Sequence, residues 1–171
     1  MNAWRLGLVL GTLSIAAAGA DVAKAQDNID RWNTNAVLAA LQALKASDVQ
    51  AVTSDGRAAV TARTKDNLNV GVYAKACDPA PPGVEQICHG LEAIISFDPG
   101  ARADRKALAD RLNRQFALGK FVDQPDGSIR LSRYVVFDGG TSPGNLRANL
   151  ASLFAIGGLT AQTLWPDAAR R

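Results

Sequence analysis

Two cysteines and a single histidine are the residues best equipped for chemistry in this chain. Cys77 and Cys88 enclose the segment DPAPPGVEQI, and His89 follows directly. A thiolate with an imidazole base and a third orienting group would make a nucleophilic site. A redox pair would favour C-x-x-C spacing, which this pair lacks. A metal site would need more ligands than one histidine and two thiols supply. A structural disulfide consumes both thiols instead, and closing so short a loop contributes about 3 kcal/mol in the chain-entropy account. His89 then has no thiol to activate and reads as an ordinary strand residue at the loop edge, since neighbouring strand positions point to opposite faces.

The carboxylates offer a second chemistry, because paired acids can work as general acid and base in glycoside cleavage. Asp98, Asp123, Asp126 and Asp138 all fall at strand ends or turns, where aspartate bonds its own backbone. No calcium-loop spacing surrounds Asp126-Gly127. Gly139-Gly140-Thr141-Ser142 precedes a helix, and helix N-termini attract phosphate. Neither GxxxxGK[ST] nor GxGxxG is present, so loop geometry and capping account for these residues. Arg102, Arg105, Lys106, Arg111 and Arg114 are interleaved with Asp104 and Asp110, the mixed pattern of a solvated helix face. No residue is assigned a catalytic, cofactor-binding or metal-binding role, and a non-enzymatic domain is expected.

The elements that position these residues follow from periodicity. Asn33 and Thr34 offer N-caps for a helix carrying Val37, Leu38, Leu41 and Leu44, ending near Ser47. A strand from Val49 to Thr53 then turns at Asp55-Gly56, a strong hairpin signal. Ala58, Val60 and Ala62 face inward on the return. The next strand sets Leu68, Val70, Val72, Ala74 and Ala76 on one side, with Tyr73 on the other. After the cysteine loop, Leu91, Ala93, Ile95 and Phe97 alternate with Glu92, Ile94 and Ser96. Antiparallel pairing of these two strands would bring Cys77 and Cys88 to their joined ends.

A helix over about 102–116 carries Leu108, Leu112 and Phe116 on its inner face. Phe121 and Val122 open a hairpin turned by Pro125-Asp126-Gly127, with Ile129, Leu131, Val135 and Phe137 inward on the return. Ser142 and Pro143 start the last helix, which places Leu146, Leu150, Leu153 and Phe154 on one face. Gly157-Gly158 inside it would kink it or admit a close neighbour. The order α-β-β-β-β-α-β-β-α predicts a single α+β domain, a mostly antiparallel sheet with flanking helices.

The first residues, MNAWRLGLVLGTLSIAAAGADVAKAQ, read as an export signal. Arg5 supplies a positive start, residues 6–18 an apolar core, and Ala23-Lys24-Ala25 a small-x-small cleavage pattern. The expected division is a cleaved signal at 1–25, a lead-in at 26–32, the domain at 33–165 and a frayed tail at 166–171. The apolar core falls short of the roughly 20 residues a membrane span needs. An exported setting favours the disulfide, and a periplasmic or secreted location is expected. The net charge of +3 is too mild to argue for nucleic acid.

A further pattern runs through Cys77, then Cys88-x-Gly90-Leu91, Leu112-Asn113 and Gly119-Lys120-Phe121 to Asp126-Gly127. It ends on Val135 to Leu146, the stretch VVFDGGTSPGNL. In these motifs the chain resembles the YbjN family of bacterial sensory transduction regulators. Family members typically carry Trp-Asn where this chain has Leu112-Asn113, and many are cytoplasmic. The resemblance implies a fold like that of type III secretion chaperones, often dimeric, that binds a protein or peptide rather than turning over a substrate. The expectation is therefore an accessory or regulatory module with an unidentified protein or peptide partner and a possible homodimer. Tyr73, Ile94, Tyr134 and Val136, which alternation places opposite the core, are the candidate partner surface. The alternative is a small-ligand binder or atypical enzyme with a cavity between sheet and helices, and no cofactor is expected.

Overall fold

A computed structural model describes residues 28–81, 84, 86–100 and 103–166. The expected signal at 1–25 and all but the first residue of the expected tail lie outside them. The element order is α1 (Thr34–Ala43), β1 (Ser47–Ser54), β2 (Arg57–Arg63), β3 (Asn69–Cys77), β4 (Cys88–Phe97), α2 (Arg105–Gln115), β5 (Lys120–Asp123), β6 (Ile129–Val136) and α3 (Pro143–Leu164). This is the expected α+β domain, built on an antiparallel six-stranded sheet ordered β1-β2-β3-β4-β6-β5.

α1 begins where a cap predicts it, with the Asn33 side chain accepting from the Ala36 N–H at 3.0 Å. It ends earlier than expected. Lys45 turns left-handed at φ 58, its N–H donates to the Gln42 carbonyl, and the Ala46 N–H reaches back to that of Leu41. These two bonds are a Schellman stop with lysine in the position glycine usually takes. β1 therefore starts at Ser47 rather than Val49.

The β1–β2 hairpin turns through Asp55 and Gly56, both with positive φ, as a type I′ turn requires. Pro125-Asp126-Gly127 turns β5 into β6, with Gln124 and Ser128 bonded across it. β3 departs from the expected alternation at its end. Ala76 adopts φ 50 and is exposed, because the left-handed residue rotates the strand before Cys77. The register nonetheless holds, and Cys77 lies directly opposite Cys88.

α3 is capped by the Ser142 hydroxyl, which accepts from the Asn145 N–H at 3.1 Å, with Pro143 in the first turn. It runs through Gly157-Gly158 as one helix. Gly157 admits a close neighbour: a Cβ there would stand 2.7 Å from Cδ1 of Ile95, which is fully buried on β4. The inner face of the sheet, the three helices, Ile29 and Trp32 form one buried cluster centred on Phe97, Phe137, Leu91 and Ile95. The lead-in is thus part of the packed domain: Ile29 bridges Thr141, and the Trp32 N–H donates to the Cys88 carbonyl at 2.7 Å. Among the described residues the helices pack on one side, and none covers the opposite face of the sheet.

Candidate interaction surface

Register fixes which side chains share the open face. Tyr73 stands opposite Glu92, and Glu92 opposite Tyr134. In the next row Gly71, Ile94 and Ser132 lie side by side, and Val136 faces Gly90 at the other end. The four residues expected from sequence are therefore brought together on one surface. Tyr134 is 50% and Val136 54% exposed, whereas Tyr73 and Ile94 are half-buried.

The tyrosines lie down because of two glycines that alternation alone does not single out. A Cβ at Gly71 would meet the Tyr73 ring, 2.5 Å from its Cε2, and a Cβ at Gly90 would stand 2.6 Å from the Tyr134 hydroxyl. Each bare backbone gives a ring a flat bed, and each ring covers backbone that would otherwise face water. Glycine at outward positions of two neighbouring strands is the sequence signal for this arrangement. Between the rings, Lys75 Nζ pairs with Glu92 Oε2 at 3.1 Å.

Two shallow depressions flank Tyr73 and Ile94. One, of about 440 Å³, is lined by Asp48, Gln50, Thr61, Arg63 and Ser96 together with those two residues. The other, of about 380 Å³, adds Arg57, Lys75, Glu92 and Arg130. The surface so offered is a patch of apolar side chains on β3, β4 and β6, interrupted by the Lys75–Glu92 pair and bordered by charges of both signs. It can hold an extended chain through side-chain contacts.

The chemistry-bearing residues lie at the rim. Cys77 and Cys88 form a disulfide. His89 is more than an ordinary strand residue: Nδ1 lies 2.9 Å from Asp138 Oδ1, and Nε2 lies 3.2 Å from Asp78 Oδ2. A neutral imidazole carries one N–H, so only the imidazolium satisfies both carboxylates. The hydrogen bond to Asp78, then that to Asp138, raises the His89 pKa above its ordinary value. This clasp ties β4 to the cysteine loop and to the turn before α3.

The other carboxylates are occupied locally. Asp98 accepts from the Gly100 N–H, and Asp123 pairs with Arg105 at 3.0 Å. Asp126 accepts from both the N–H and the hydroxyl of Ser128, which hold its carboxyl below the usual range. Gly139 and Gly140 take positive φ in the turn before α3, and Ser142 is spent as the cap. Among the described residues, no group of His, Cys, Asp and Glu side chains is arranged to hold a metal ion. No helix among them is long and apolar enough to cross a membrane.

No family model matches the chain and no match is found among curated proteins, so the YbjN resemblance rests on the motifs read from the sequence.

Proposed function

We propose that this is a YbjN-like, exported, non-enzymatic module of the periplasm or extracellular space. In this reading it binds an extended protein or peptide segment on the open face of its sheet. The observation that carries the proposal is the cluster of Tyr73, Ile94, Tyr134 and Val136 on a face that no helix crosses among the described residues. Such a cluster pairs aromatic area of low conformational entropy with neighbouring charges, a composition common in recognition surfaces. The disulfide is compatible with an oxidising, extracytoplasmic location. The small-ligand alternative calls for a cavity between sheet and helices. The centre of that layer holds fully buried side chains such as Phe97, Leu91, Ile95 and Leu131, and depressions of about 410 and 470 Å³ lie beside α3, around Asp66, Gly158 and Gln162.

Affinity capture of the tagged chain from its native envelope, with mass spectrometry, tests the reading. Ile94→Asp and Tyr134→Asp, both on the open face, are the matched controls. A stoichiometric protein retained by the parent and lost by both folded variants supports it. Retention unchanged by both variants would sink it, as would a co-purifying small molecule with no protein partner.

A further inference from the structure

β1 forms one edge of the sheet, and the turn that follows it determines which of its backbone groups face outward. The hairpin has two turn residues, and Ser54 and Arg57 close it. In such a hairpin the closing pair exchanges both backbone hydrogen bonds, and the pattern alternates from there. Ser54, Val52 and Gln50 therefore direct their N–H and C=O groups at β2. Thr53 and Ala51 direct theirs away from the sheet, and these groups have no hydrogen-bond partner among the described residues.

Proteins guard such edges with lysine, proline, a bulge or a covering element. Here a bulge at Asp48 guards only the first end. From Gln50 to Ser54 the sequence QAVTS carries neither charge nor proline. Ala51, Val52 and Thr53 are all exposed, and Val52 is an uncovered apolar side chain at 37%.

We propose that β1 is a dimerisation edge, at which two copies of the chain pair antiparallel about a twofold axis through Val52. That register sets Ala51 of one copy opposite Thr53 of the other, so the outward-pointing groups satisfy one another. Val52 meets its own copy at the closer, non-hydrogen-bonded spacing of about 4.5 Å between Cα atoms, which buries both exposed side chains. Gln50 lies opposite Ser54, polar against polar. The paired stretch from Gln50 to Ser54 carries no charge, so no like charges meet within it. Residues paired across the axis share a face, which keeps the helices of both copies on one side and continues the open face from one copy into the next. A register centred on Ala51 would instead draw the bulge into the pairing. The strand is thus complementary to itself, and this selects a second copy over an unrelated peptide. The inference does not depend on the peptide-binding reading, since its readout is the mass of the protein alone.

Sedimentation and light scattering on the purified full chain test it. The parent should be a dimer. Ala51→Pro removes an outward N–H without touching the ladder to β2, and Val52→Lys sets like charges against each other across the axis. Both should halve the mass while retaining the parent's circular dichroism. Val52→Lys projects into solvent and serves as the readout if the proline variant does not fold. Amide exchange at Ala51 and Thr53 should be slow in the parent and fast in the monomeric variant. A monomeric parent overturns the proposal, including one that gains mass only when a peptide is added. So does a dimer that persists in folded Val52→Lys.

Discussion

Reducing the Cys77–Cys88 bridge should lower stability by an amount that the chain itself dictates. The cysteines are 11 residues apart, and a loop of that length restricts the unfolded chain by about 3 kcal/mol. Much of the local fold survives the loss. Cys77 and Cys88 remain opposite each other in the β3–β4 ladder, the Asp78 N–H still donates to the Ile87 carbonyl at 2.8 Å, and His89 still bridges Asp78 and Asp138. The reduced protein should therefore remain folded but unfold more readily. With a urea dependence of roughly 1–3 kcal/mol per molar, the midpoint should fall by about 1–3 M. Equilibrium urea unfolding, followed by circular dichroism on the oxidised protein and on protein reduced and refolded in dithiothreitol, measures this directly. The double variant Cys77→Ala/Cys88→Ala should track the reduced form and be indifferent to reductant. Equal midpoints for oxidised and reduced protein would refute the loop-entropy reasoning and with it the structural role of the bridge.

The single histidine gives one imidazole signal to follow, and NMR titration should place the His89 pKa above the ordinary histidine value. Asp78→Asn or Asp138→Asn should each bring it back toward that value. Because the folded pKa is raised, the clasp's contribution to stability is fully present below the unfolded pKa, near 6.5, and is lost as pH rises through the folded value. Urea midpoints should therefore decline across that window in the parent and stay flatter in His89→Gln. On the other side of the domain, Asn113 donates to the Phe121 carbonyl at 2.8 Å and accepts from its N–H at 2.7 Å. Asn113→Ala should cost about 1–2 kcal/mol in denaturant unfolding, and Asn113→Asp should not restore it, because a carboxylate oxygen would then face the Phe121 carbonyl.

Alternation and turn chemistry made the strands legible. Asp55-Gly56 and Pro125-Asp126-Gly127 fix their hairpins locally, and the inward sets on β3, β4 and β6 follow from a period of two. Where the sequence misled, local geometry had overridden propensity. Lysine stops α1 left-handed at residue 45, and Ala76 rotates the end of β3. Neither residue type advertises positive φ. The apolar members of the candidate surface were readable because they lie opposite core positions on the same strands. The beds under the tyrosines were not, since they depend on which way each ring leans: Tyr73 back over Gly71 on its own strand, Tyr134 diagonally over Gly90 of the neighbouring one. The His89 clasp was hidden for a similar reason. Asp138 is 49 residues away in sequence, and only the β4–β6 pairing brings its turn alongside.

The open face and the free edge follow from one topological choice. With all three described helices packed on the inner layer, the outer layer is made compatible with water by side chains. Lys75 and Glu92 do this as a pair, and the tyrosines do it by lying flat over glycine. Flat rings also keep the surface smooth, so a chain laid across it would meet ring faces and the Ile94 side chain with little reordering of the protein. A row of the open face runs Tyr134, Glu92, Tyr73, Ala59, Val52 from β6 to β1. If β1 pairs with a second copy, that row continues through the axis and presents the tyrosines in symmetric sets. A partner long enough to span the axis would then bind both copies at once, and its affinity would fall in Val52→Lys even though that side chain lies away from the Tyr73 and Tyr134 rings.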